Sequence, residues 1–359
     1  MRILLVRPRA SGGLAAHVDQ ELTLLRESGH EVAEAPVRIQ ERPAPLADLR
    51  TLRTLRRGAR EAAPVVVHAH GLRAGALAAL ALVGTGIDLV LTLHNLPVGS
   101  SSVRLLGRGL LQVAARGSRT VLAVSPDLEQ AARRAGARDV RRAVVPAPER
   151  TPRDAAGGDS GGKHVPDAAT GDPAEAADDS VWPAECALRV LVIARLATQK
   201  GLGDLLDAAA LLPAEPPVGI AVAGDGPLHD ELAARIDRER LPVRLLGRRE
   251  DVPALLGSCD LVVSAAHWEG QPVALQEALR AGRAIVATDA GGTRWVTGEA
   301  AHLVPVGDAP ALAAAITTHT DPAVRRRAEE ASRRRADELP SAGDMIDQLT
   351  DVLALAGPR

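Results

Sequence analysis

The sequence predicts an α/β protein made of two domains, each a parallel sheet covered by helices on both faces. Three observations carry this. Short, continuously apolar runs alternate with helical patterns from the first residue onward. The alternation stops over residues 149–186 and restarts at residue 188. The chain is 359 residues long, enough for two domains rather than one.

In the first half, residues 3–6, 65–68, 89–93 and 121–124 read as strands. They lack the alternation of a half-solvated strand, so they fit a sheet buried on both faces. Residues 15–27 and 103–115 carry helical periodicity between them. Residues 74–93 approach the length of a bilayer span, but Gly84, Gly86 and Asp88 divide them. A buried helix followed by a buried strand is expected there. Residues 149–186 are rich in Gly, Pro and acids and have almost no apolar period, which predicts a flexible linker or insertion. Strands resume at 188–193, 218–222, 243–246, 261–263 and 284–287, and residues 323–356 read as helical. The expected domains are therefore 1–148 and 187–335, with residues 336–359 a last helix that packs back on the first domain.

Composition narrows the class. Apolar residues make up 46% of the chain, so a core is within reach. Phe and Tyr are absent and the only aromatics are Trp182, Trp268 and Trp295, so Leu, Val, Ile and Ala must fill that core. A net charge of -2 gives no reason to expect nucleic acid or an acidic partner. Cys186 and Cys259 have no framework spacing, which fits a reducing compartment. The apolar start is short and interrupted by Arg7 and Arg9, unlike a signal peptide. A cytoplasmic protein is expected. Positive charge is almost entirely Arg; Lys163 and Lys200 are the only lysines.

Chemistry gathers after the strands. In the second half, Trp268-Glu269-Gly270-Gln271-Pro272 precedes a helix bearing Glu277, which Gly282 should end. Glu269 then lies on the loop and Glu277 one to two turns inside the helix, so the two can address different parts of one ligand at the helix N-terminus. Two solvated acids near a helix start would look the same. Arg195, Lys200 and Gly201 follow the first strand of this half, where an Arg fork and a Lys point charge suit a diphosphate. Gly224-Asp225-Gly226-Pro227 stands at another strand end. Parallel sheets bind ligands at these carboxyl ends. In the first half, Gly12 and Gly13 form a glycine-rich turn before a helix, which offers N–H groups to an anion or simply meets the turn's dihedral needs.

These motifs, taken in order from Arg195 to Gly292, resemble the family-4 type of retaining glycosyltransferases. The matched series is Arg195-Leu196 with Lys200-Gly201, Gly224-Asp225-Gly226-Pro227, Gly247 with Asp251-Val252-Pro253, Glu269-Gly270 through Glu277-Ala278, and Gly291-Gly292. The first half is similar more loosely, through Gly12-Gly13 with His17, Gly29-His30-Glu31-Val32, His68-Ala69-His70-Gly71 and His94. The resemblance implies the GT-B fold, two Rossmann-like domains whose parallel sheets face across a cleft. It implies that Arg195, Lys200, Gly12, Gly13 and Gly270 serve the donor diphosphate. Glu277 would hold the nucleotide ribose, with Gly224 and Gly247 beside the nucleotide. Glu269 would stand next to the donor sugar, and His94 would face the reacting sugar. The chain departs from the family at Gln271, Trp295, His302 and Asn95, which bears on sugar specificity more than on nucleotide binding.

The function expected is transfer of a sugar from a nucleoside diphosphate to an acceptor hydroxyl, the acceptor being a glycan, a lipid or a small molecule. No D-x-D occurs, so no metal cofactor is expected at the diphosphate. A nucleotide-sugar epimerase and a non-catalytic nucleotide-binding module are the alternatives. His68 and His70 share a strand face, but the sequence offers no evident third metal ligand, so a ligand-facing polar patch or a structural pair is expected. His17 and His267 are expected to be structural or to lie at the site's rim. Arg50, Arg53, Arg56, Arg57 and Arg60 mark a basic helix that could rest on the inner face of an anionic membrane or be solvated. The Arg runs 325–327 and 333–335 are expected to be solvated.

Overall fold

The computed structural model describes residues 1–9, 13–37, 39, 45–95, 101–147, 181–183 and 186–354. Among them are two six-stranded, wholly parallel sheets flanked by helices. The chain divides into two compact units, Met1–Pro146 with Pro340–Arg359, and Ala147–Leu339. Each is Rossmann-like, the architecture the sequence predicts.

The first unit runs β1 (Arg2–Val6), α1 (Gly13–Glu27), β2 (Glu31–Glu34), α2 (Pro45–Ala62), β3 (Val66–His70), α3 (Leu72–Leu82), β4 (Asp88–Leu93), α4 (Ser101–Gly117), β5 (Thr120–Ala123), α5 (Pro126–Arg134) and β6 (Asp139–Arg142). Its sheet order is β2-β1-β3-β4-β5-β6. The chain leaves β1 for one edge and returns with β3 on the other side, so the topological switch lies between β1 and β3. The stretch 74–93 is the buried helix α3 and the buried strand β4, as expected. Among the described residues no helix is long and apolar enough to cross a membrane.

The second unit runs β7 (Leu188–Ile193), a 3₁₀ turn (Thr198–Lys200), α6 (Leu202–Ala210), β8 (Val218–Ala223), α7 (His229–Glu239), β9 (Val243–Gly247), α8 (Val252–Ser258), β10 (Leu261–Ser264), α9 (Val273–Arg280), β11 (Ala284–Thr288), α10 (Thr293–Thr297), β12 (Ala301–Val304), α11 (Ala309–Thr318) and α12 (Pro322–Ala336). Its order is β12-β11-β10-β7-β8-β9, which puts the switch between β7 and β10. Alternate residues of β7 feed cores on opposite faces. Leu188, Val190 and Val192 join one cluster, and Leu191 joins the other. Each such Leu contributes about 1.5–3 kcal/mol by burial, which is how a core without Phe or Tyr is built.

The stretch 323–356, expected to be helical, is α12 and then, after Pro340, α13 (Ala342–Ala354). Helix α13 belongs to the first unit, where the Gln348 side chain accepts from Val144 N at 2.8 Å and donates to Arg142 O at 2.9 Å. The stretch expected to be a linker lies outside the described residues except for 181–183 and 186. There, Val181 and Trp182 are buried in the second unit's core rather than solvated. The Arg runs also hold structural members: Arg325 donates to His319 O at 2.7 Å, and Arg335 to Trp295 O and Val296 O, both at 2.9 Å.

Candidate active site

At the second unit's switch point, the loop after β7 and the loop after β10 are tied together. His267 N donates to Gln199 O at 2.9 Å, and Gln199 Nε2 donates to Trp268 O at 3.0 Å. Lys200 Nζ lies 2.6 Å from Glu269 Oε1. His267, expected to be structural or at the rim, pairs with Asp204 at 2.8 Å. The backbones approach too closely for side chains: a Cβ on Gly201, whose φ is +61°, would lie 1.9 Å from Ala265 O.

The neighbouring strand ends are pinned the same way. A Cβ on Gly224 would meet Ala194 O at 1.9 Å, and Gly224 N donates to Gly247 O at 2.8 Å. A Cβ on Gly291 would meet Glu269 O at 2.0 Å, and Gly292 N donates to that same oxygen at 2.9 Å. The glycine motifs therefore lace together the loops after β11, β10, β7, β8 and β9, and hold Lys200 and Glu269 in a fixed frame. Arg195 is exposed on the β7 loop, and among the described residues no ion pair holds it. Gly270 sits between Glu269 and the start of α9. Glu277 is half-buried on α9, whose last turn Gly282 closes with φ +63°. Pro272 caps α9 rather than opening its first turn.

The sequence anticipated these residues but not the pairing of Lys200 with Glu269. It assigned one to the diphosphate and the other to the sugar. Lys200 has three N–H donors, so it can keep Glu269 and still offer a proton to a phosphate oxygen. Held by the pair, the Glu269 carboxylate stands fixed at the strand end.

In the first unit, Gly12 lies outside the described residues and Gly13 opens α1. His94 follows β4, and its Nε2 lies 3.2 Å from His70 Nδ1. His68 and His70 are fully buried on β3, which fits the structural pair among the two expected readings rather than a patch open to a ligand. Glu21, which the sequence reading passed over, reaches them from α1 with Oε1 at 2.6 Å from His68 Nδ1 and 3.3 Å from His70 Nε2. His17 Nε2 stands 3.9 Å from the other Glu21 oxygen. The signal was present: residues 17 and 21 are four apart and share a helix face. Burial lowers the His17 imidazole to about 4, lowers His70, and carries His94 well below the usual histidine range. Burial also works to raise Glu21, but the charges of His68 and His70 outweigh it and hold the carboxyl well below its usual range.

Residues 187–321 match the glycosyl transferases group 1 family, and residues 4–148 match the glycosyl transferase 4-like domain. A phosphatidyl-myo-inositol mannosyltransferase of Mycolicibacterium smegmatis is 30% identical over 88% of this chain and 84% of its own length. The chain belongs to the group 1, family-4 type glycosyltransferases. It is therefore an enzyme that moves a sugar from a nucleotide sugar. A lipopolysaccharide core biosynthesis mannosyltransferase of Rhizobium meliloti is 33% identical, over 38% of this chain and 43% of that one. Among solved structures, the UDP-glucose complex of HepE from Anabaena superposes with a TM-score of 0.72 at 22% identity, covering 99% of this chain and all of that one. Sucrose-phosphate synthase of Thermosynechococcus elongatus reaches 0.75 at 18% identity, covering 99% and 98%. At these identities the likeness speaks for the GT-B fold.

Proposed function

We propose that this glycosyltransferase passes the sugar of a nucleoside diphosphate sugar to an acceptor hydroxyl with retention of anomeric configuration, and without a divalent cation at the diphosphate. The observation that carries the reading is the Lys200–Glu269 contact of 2.6 Å at the second unit's switch point, with Arg195 open on the same loop. As the bond to the sugar breaks, negative charge grows on the leaving diphosphate. Arg195, Lys200 and the free N–H groups at the start of α9, next to Gly270, offset that charge where a metal otherwise would. Glu277 takes the ribose, and Gly224 and Gly247 let the nucleotide lie close to the strand ends. On the strength of the family resemblance, Gly12 and Gly13 are assigned to the donor phosphates and His94 to the reacting sugar. The leaving phosphate is the candidate to accept the acceptor's proton.

Two of the relatives are named mannosyltransferases, which makes mannose donors the first to assay. A cytoplasmic enzyme whose α2 arginines touch the membrane's inner face, apart from Arg56, which donates to Ala81 O at 3.0 Å and Val83 O at 2.9 Å, is part of the same reading, since a relative covering 88% of the chain is named for a lipid acceptor. The test is donor turnover with added Mg²⁺ or Mn²⁺, together with the anomeric configuration of the product by NMR. Turnover that rises from nothing on adding either ion, or an inverted product, overturns the proposal.

A further inference from the structure

We propose that Glu21, His68 and His70 form a site for one divalent transition-metal ion, with Zn²⁺ the best match, that staples α1 to β3 inside the first unit. Three side chains converge from two elements, and each is no more than 1% exposed. Glu21 Oε1 faces both His68 Nδ1 and His70 Nε2, and the three residues each offer a ligand atom within 4.8 Å of the others. These same three atoms are buried without an aligned hydrogen bond, although Oε1 lies only 2.6 and 3.3 Å from the two nitrogens. Close approach without alignment is what ligands show when they point at a common centre rather than at each other.

The remaining ring nitrogens are engaged elsewhere. His68 Nε2 is 2.8 Å from Thr92 Oγ1, and His70 Nδ1 is 3.2 Å from His94 Nε2. Metal-bound histidines are held in this way, one nitrogen fixed by an outer partner so that the other presents its lone pair. Two imidazoles and a carboxylate suit Zn²⁺, with bonds of about 2.0–2.1 Å. A tetrahedral ion at that range spaces its ligand atoms about 3.3–3.4 Å apart. The Glu21–His70 distance of 3.3 Å already fits, and the Glu21–His68 pair opens from 2.6 Å to admit the ion.

Charge balance at Glu21 has two solutions. Glu21 is buried, and among the described residues no Lys or Arg is paired with it. A buried carboxylate needs a compensating cation. A proton on an imidazole is the competing solution, and the two are distinguished by loading with metal. The site lies within the first unit and does not rest on the donor reading above.

The experiment exposes the purified full chain to Zn²⁺, removes free metal by desalting, and measures bound zinc by mass spectrometry against a mock-loaded control. A parallel titration with Co²⁺ follows the visible absorption bands of a tetrahedral site. The proposal expects one equivalent of zinc, intense cobalt bands and a raised melting temperature with Zn²⁺. Glu21→Gln and His68→Gln, checked for folding by circular dichroism, should lose the bound equivalent and the shift. Wild-type protein that retains no metal above the control and gives no cobalt bands overturns the proposal, whatever the variants do. Folded variants that retain as much zinc as wild type overturn it as well.

Discussion

Removing the Lys200 ammonium separates the two tasks assigned to it. In the free enzyme its Nζ sits 2.6 Å from Glu269, whose side chain is only 12% exposed, while Lys200 itself is 26% exposed. Lys200→Ala takes away no core volume, so the fold should hold. A charged hydrogen bond to the diphosphate contributes about 1.5–3 kcal/mol, and its loss should weaken nucleoside diphosphate binding about tenfold to a hundredfold or somewhat more. Turnover should fall further than binding, because charge on the diphosphate is greatest as the glycosidic bond breaks. Glu269→Gln separates the roles: it frees Lys200 for phosphate, so diphosphate binding should be unchanged or tighter while turnover drops. The assay is isothermal calorimetry with the nucleoside diphosphate, plus donor turnover, for wild type, both single variants and the double variant. The double-mutant cycle should return a coupling between the two positions. If Lys200→Ala binds and turns over like wild type, the diphosphate does not lie at this strand end and the second-unit assignment fails.

Other consequences are more local. Gly201→Ala should destabilise the second unit in denaturant melts. The left-handed backbone alone costs about 1–3 kcal/mol for a side chain, before the clash with Ala265 O at 1.9 Å; an unchanged midpoint would remove the frame argued for the site. Deleting residues 151–179 should leave donor turnover intact, whereas Trp182→Ala should cost about 3–5 kcal/mol because Trp182 is buried in the core. Equal melting temperatures for Trp182→Ala and wild type would show otherwise. Burial pushes the Cys259 thiol up from 9.0 to about 12, so a thiol reagent at pH 8 should leave it unmodified in the native protein. Since the folded state holds this proton more tightly than the unfolded chain, the thiol's contribution to stability is present below pH 9 and is lost as pH rises toward 12. Rapid native-state labelling of Cys259, read by mass spectrometry, would contradict its burial.

How much of this was written in the sequence follows from what a one-dimensional pattern can carry. Strands buried on both faces, such as β7 and β8, announce themselves as apolar runs. The strands that were missed, β2, β6 and β12, are all at sheet edges, and each buries a single residue fully: Val32, Val140 and Val304. Edge strand β9 also buries only Val243, but Leu245 and Leu246 extend its apolar pattern, so it could be found. Val181 and Trp182 were hidden because two core residues at the end of a Gly- and acid-rich stretch show no period. The residues proposed for the donor site could be picked out because they follow the carboxyl ends of strands, Arg195 and Lys200 after β7 and Glu269 after β10, and in a parallel sheet such positions fall on one edge.

Pairing between them was not legible, because it depends on strand order. Lys200 and Glu269 are 69 residues apart and meet only because the chain returns β10 to the side of β7 away from β8. Glu21 meets His68 and His70 by the same logic in the first unit, since β3 is laid beside β1 on the side away from β2. Both groupings thus arise at a topological switch, where consecutive strands part and the loops or helices after them are left to converge. One carboxylate meets a lysine at such a point and can be shared with an anionic ligand. The other meets imidazoles that are themselves buried, the donor set proposed above for a metal ion. Sheet order, which residue periodicity does not encode, therefore sets the chemistry available in each unit.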